Sequence, residues 1–169
     1  MIPLLTAAAS QAAAAGPAVS ALMDTWEAAG SGSSEDFLAS LAPETSEGLL
    51  LMCGDYLDIL RSLPDAELFL LFAAMRIDAA PGEVDVWDSR SVLELLLTAP
   101  SHAYLLENSI IVIDSLQEGE SLSRVYFTLR DPYGHRTALD LPIVREGGLW
   151  RVSGIDTLMT SLIEGSFFH

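Results

Sequence analysis

LDLPIVREGGLWRVSGI, residues 139–155, alternates apolar and polar side chains, turns on Glu146-Gly147-Gly148 and alternates again through Trp150 and Val152. Period-2 alternation on both sides of a glycine turn marks a β-hairpin. Thr137, Leu139, Leu141 and Ile143 fall on one face, opposite Arg136, Ala138 and Asp140. Trp150 and Val152 join the apolar face across the turn. Pro142 has no N–H to give to a ladder, so it predicts an edge or a bulge.

The same period continues upstream. Arg124, Tyr126, Thr128 and Arg130 alternate with Val125, Phe127 and Leu129, and the turn DPYGH joins them to the hairpin. Residues 109–117, SIIVIDSLQ, are rich in β-branched side chains, and EGES turns the chain after them. Residues 109–153 therefore predict one antiparallel meander of about four strands. Val125, Phe127, Leu139, Leu141, Trp150 and Val152 should be buried on its common face.

Before residue 109 the period is mostly 3.6. Gly16-Pro17 opens a helix whose Val19, Leu22, Met23 and Trp26 follow helical spacing, and Gly30-Ser31-Gly32 ends it. Ser33 and Asp36 suit the start of a short helix carrying Phe37, Leu38 and Leu41, which Pro43 breaks. A longer helix over 44–63 places Leu49, Met52, Cys53, Tyr56, Leu57 and Leu60 on one stripe, with Asp55 and Asp58 off it. Asp65 is placed to cap a helix with Leu68, Phe69, Phe72 and Met75. EVDVWD, after the Pro81-Gly82 turn, reads as a short strand with Val84 and Val86 on one face. Ser89 or Ser91 then opens a helix through Val92, Leu95 and Leu96 that ends before Pro100. Helices followed by a meander spell an α+β fold, with N-terminal helices packed on a curved antiparallel C-terminal sheet.

The chain has 169 residues, enough for one domain with a sizeable core. Residues 1–16 read as an Ala-rich helical lead-in and 17–169 as a single α+β domain. The lead-in has the small residues found near signal-peptidase sites, but no positive n-region, and Ser10 and Gln11 interrupt its apolar stretch. The chain as written reads as cytoplasmic; removal of a signal peptide would place it in the cell envelope. Half the residues are apolar and the mean hydropathy is +0.36. No stretch reaches the ~18–20 residues of a membrane span. LFLLFAAM, residues 68–75, is the densest apolar run and reads as a buried helix or a partner surface.

The net charge is −16, with no lysine and eight arginines. That excludes a basic stripe for nucleic acid and disfavours anionic membranes. The acidic surface serves solubility or a basic partner. Cys53 is the single cysteine and sits among Leu49, Leu50, Met52, Tyr56 and Leu57, so a buried inert thiol is expected rather than a nucleophile. One Cys and three His (His102, His135 and His169) offer few ligands, so no metal and no cofactor are expected.

The helix–break–helix segment WEAAGSGSSEDFLASLAP and the closing LPIVREGGLWRVSGI, with Gly148, Trp150 and Val152 in the matching positions, resemble the nuclear transport factor 2-like superfamily, the cystatin-like α+β cone. The strand read at EVDVWD, the helix after it and the tail after Asp156 fit that plan less well. The resemblance implies a curved sheet wrapped round a helix, enclosing an apolar cone. It implies a non-catalytic bacterial member, and a homodimer paired through the sheet. It also includes isomerases, dehydratases and cyclases. Fold alone does not choose among them.

An enzyme of this kind would need a base and a polarising group converging in the cone. The chain offers Asp78, Asp85, Asp114, His102, Tyr104, Tyr126 and His135, of which His102 and Tyr104 are the polar pair just ahead of the sheet. No phosphate-binding glycine loop, G-x-S-x-G elbow or H-E-x-x-H pair is present. The expected function is a non-catalytic binding or assembly domain acting on an apolar small molecule or a protein partner; the alternative is a small-molecule isomerase, dehydratase or cyclase using the same cone. A pocket is expected between the sheet and the first two helices, lined by some of Trp26, Phe37, Tyr56, Phe127, Leu141 and Trp150. The same side chains could instead fill the wedge as core.

Overall fold

A computed structural model describes residues 16–155 and Met159. The Ala-rich lead-in, His169 and the rest of the tail lie outside the described residues. The helices are α1 (Pro17–Gly30), α2 (Ser34–Ser40), α3 (Pro43–Ser62), α4 (Asp65–Met75), α5 (Ser89–Thr98) and α6 (Pro100–Asn108), with a 3₁₀ turn at Pro81–Val86. Four strands follow: β1 (Ile110–Gln117), β2 (Leu122–Arg130), β3 (Arg136–Glu146) and β4 (Leu149–Val152). They pair antiparallel in sequence order, as a meander.

The register sets the core. Val125 faces Leu141, Phe127 faces Leu139 and Ile143 faces Val152. Val125, Phe127, Leu141, Ile143 and Val152 are buried, and α1 lies against β2, β3 and β4 with Val19 and Leu22 turned inward. In the helical layer α3 packs on α5, and α4 packs on the 3₁₀ turn. Leu41 bridges in parallel to Val152, and the Ala42 N–H donates to the Val152 carbonyl at 2.8 Å, tying the α2–α3 junction to the sheet edge.

Several local expectations are corrected. EVDVWD is not a strand. Pro81 starts a 3₁₀ turn, and Glu83 folds back to accept from the Ala80 N–H at 2.8 Å. The carbonyls of Val84, Asp85 and Trp87 accept from the Arg61 guanidinium instead of a neighbouring strand. Val84 is therefore buried while Val86 is 84% exposed. Asp65 is the first residue of α4 rather than its cap, and it is Asp88 that caps α5, accepting from the Ser91 N–H at 2.8 Å. Pro100 ends one helix but also opens α6, because proline is as well suited to a first turn as to a break.

Pro142 lies within β3, between β2 and β4. Its carbonyl accepts from the Ser153 N–H at 2.8 Å, just past the end of β4, so its missing donor faces the flank where the last strand runs out. Leu139 and Trp150 share the apolar face but are only partly buried. Trp150 pairs with Arg145, two positions from the Val152–Ile143 pair toward the Gly147-Gly148 turn, where Arg145, Glu146 and Leu149 are exposed.

Phe127→Ala should therefore cost about 3–5 kcal/mol as a core truncation, and Trp150→Ala only about 1–2 kcal/mol. Urea denaturation of both variants checks this; equal losses would place Trp150 in the core after all.

Candidate functional site

The space between sheet and helices converges on α1. Trp26, Phe37, Phe127 and Leu141 line one cleft there, with Leu22, Leu106 and Met159. Tyr56 and Trp150 are not part of it. The cleft is wholly apolar, and its free volume is ≈ 10 Å³. That is about the room one water needs, and far below the ~300–1,000 Å³ of a small-molecule site. Trp26 is fixed as a packing element: its indole Nε1–H donates to the Leu106 carbonyl at 3.2 Å. Thr25, buried beside it, donates its hydroxyl to the Ala21 carbonyl at 2.9 Å.

The polar pair does not converge. His102 is buried, and its Nδ1 lies 2.8 Å from the Leu96 carbonyl, which can only accept, so the proton sits on Nδ1. Burial lowers the pKa of His102, and the bond to Leu96 opposes this only in part. Tyr104, two residues on, points outward at 48% exposure beside Tyr133. His135 lies in the β2–β3 turn, within 2.7 Å of the Asp131 carboxylate. Cys53 is buried, which pushes its thiol up to about 11 and keeps it protonated at neutral pH. Burial likewise raises the Tyr56 phenol. Among the described residues, no three His, Cys, Asp or Glu side chains are grouped to hold a metal ion.

The larger concavity is in the helical layer. An open groove of ≈ 760 Å³ runs along α3, bounded by Trp87 and the start of α5. Leu50, Leu51 and Trp87 supply its apolar surface; Glu47, Asp55, Asp58 and Asp88 supply its charge. Bonds from the Ser91 backbone and hydroxyl hold Asp88 below the ordinary carboxylate range. Gly54 lets α5 start close by, since a Cβ there would meet the Ser89 hydroxyl at 3.1 Å. The α3 periodicity names the inner stripe and passes over this outer one. Its sequence signal is Leu51, an apolar side chain on the face of Asp55 and Asp58.

No protein-family model, no curated protein and no solved structure matches this chain. The architecture is N-terminal helices packed on a four-stranded antiparallel meander. No helix among the described residues is long and apolar enough to cross a membrane.

His102 makes stability depend on pH. Its folded pKa lies below the unfolded value of ~6.5, so its contribution is complete above that pH and is lost as pH falls toward the folded value. Urea midpoints at pH 7.5 and pH 5 should fall further in the wild type than in His102→Gln. Parallel shifts in the two proteins would contradict this assignment.

Proposed function

We propose that this chain is a non-catalytic binding or assembly domain of the cone-shaped α+β kind, and that it acts through its outer surfaces. The observation that carries the reading is the closed wedge: the cleft under the sheet has ≈ 10 Å³ of free space and an apolar lining. A substrate there would have to displace Trp26, Phe37 or Phe127, which pack against one another's elements from three directions. The likeness to the nuclear transport factor 2-like superfamily agrees with this reading, because that group includes binding and assembly modules. It also brings a homodimer, paired through the open face of the sheet. On that face Tyr126 is exposed beside the Arg124–Asp140 ion pair, and Thr128 donates to Asp114 at 2.8 Å.

Titration with oleic acid, followed by tryptophan emission, should give no saturable quenching. Light scattering of the same sample at high micromolar concentration should give a dimer. Saturable quenching that Phe127→Ala alters would put a ligand in the cone and defeat the reading. A clean monomer would remove the pairing through the sheet.

A further inference from the structure

The formal charge is unevenly placed. Residues 17–108 hold sixteen Asp and Glu against three Arg, whereas residues 110–152 hold six against five. The acidity therefore belongs to the helices, and the groove along α3 lies within it. Glu47, Asp55, Asp58 and Asp88 line that groove, and the arginine beside them, Arg61, is already engaged by three backbone carbonyls. Between these carboxylates the surface is apolar: Leu51 is 72% exposed, and Leu50 and Trp87 are half-buried. A single exposed leucine is ordinary, but apolar surface that is contiguous and rimmed by charge marks an interaction site.

We propose that this groove is a docking site for a basic amphipathic helix of another protein. The proposal rests on the reading of the chain as a surface-acting binding domain. The groove extends from Glu47 to Arg61 along α3, roughly 21 Å at ~1.5 Å per residue, which matches about four turns of a docked helix. Helix-in-groove recognition needs apolar anchors at i, i+3 or i+4, and Leu50, Leu51 and Trp87 provide the surface to receive them. Lysine or arginine on either side of the anchors would meet Glu47, Asp55, Asp58 and Asp88. The half-buried Trp87 indole is also held in place, with its ring centroid 5.7 Å from that of Phe72. A second copy cannot use the same face, because a two-fold contact would set these carboxylates against themselves. Nucleic acids and anionic lipids are repelled for the same reason.

The test is selection of 16-residue peptides from a random display library on the immobilised full chain, followed by fluorescence anisotropy with the enriched peptides. These should carry net positive charge and apolar residues at helical spacing. Raising NaCl from 0.05 to 0.5 M should weaken them by at least about tenfold, as an exposed ionic rim requires. Leu51→Glu and the pair Asp55→Lys/Asp58→Lys should each reduce affinity at least about tenfold. Asp24→Lys/Glu27→Lys on α1 should change it less than about twofold, because salt screens distant charges. All five positions tolerate change without unfolding if their melting curves match the wild type; a variant that melts early is replaced by Leu51→Ser or Asp58→Asn. Enrichment of neutral or acidic peptides, or binding indifferent to position 51, overturns the proposal. So does a loss of affinity on α1 as large as that on α3. Those results leave the surface-acting reading standing, whereas saturable fatty-acid quenching would defeat that reading whatever peptides are selected.

Discussion

Val125, Phe127, Leu141, Ile143 and Val152 form the inner face of the meander, and α1 is the helix laid across it. At roughly 25 cal/mol per Å² of apolar area, that contact is the main stabilising term in the sheet. It also decides how much space is left under the sheet. Because Leu22, Trp26 and Ala29 of α1 sit directly over Phe127 and Leu141, the wedge that a curved sheet could leave is occupied by protein. Trp26 cannot swing aside cheaply, since its indole would lose the Leu106 carbonyl and leave a buried acceptor with one partner fewer.

With the space under the sheet filled, the outer layer of helices carries the recognisable features. Arg61 links that layer together: one guanidinium satisfies carbonyls of Val84, Asp85 and Trp87, and so shapes the 3₁₀ turn that leads into Trp87 and Asp88 at the groove. Trp87 is held between Phe72 and the α3 surface by the same arrangement. The uneven charge then has a direct consequence for encounter. A basic segment approaching the helices meets a field of one sign, while the sheet side is close to balanced. LFLLFAAM fits the same picture: Leu68, Phe72 and Met75 are buried, but Phe69 and Leu70 are exposed.

Much of this was legible from period alone. The four strands, their apolar faces and the inner stripe of α3 all follow from alternation and helical spacing, because burial of one face is what those patterns record. The failures have different causes, and in one the deciding contact is distant in sequence. The 3₁₀ turn at Pro81–Val86 depends on Arg61, some twenty positions upstream. The start of α6 at Pro100 depends on a proline whose two roles, break and first turn, look identical in one dimension. Alternation puts Trp150 on the correct face but too deep, because it gives the side of a sheet and not the depth of burial. Of the cleft residues, Trp26, Phe37, Phe127 and Leu141 meet, but whether aromatics enclose a space or fill it is a matter of ångströms that no spacing encodes. The groove is less legible for another reason: it is made by the outer side of α3, and helical periodicity marks only the inner side.

Xenon binding tests the central claim, that the space under the sheet is closed core, most directly. Xenon enters dry apolar cavities and needs no polar anchor, so it reports on space rather than on chemistry. Methyl-labelled protein should be titrated with the gas and followed by NMR at Leu22, Leu106 and Leu141. The account predicts shifts that grow linearly and stay small at all three methyl groups. Saturable shifts concentrated on those residues would mean that the wedge opens into a real cavity, and would return the function of this protein to its interior.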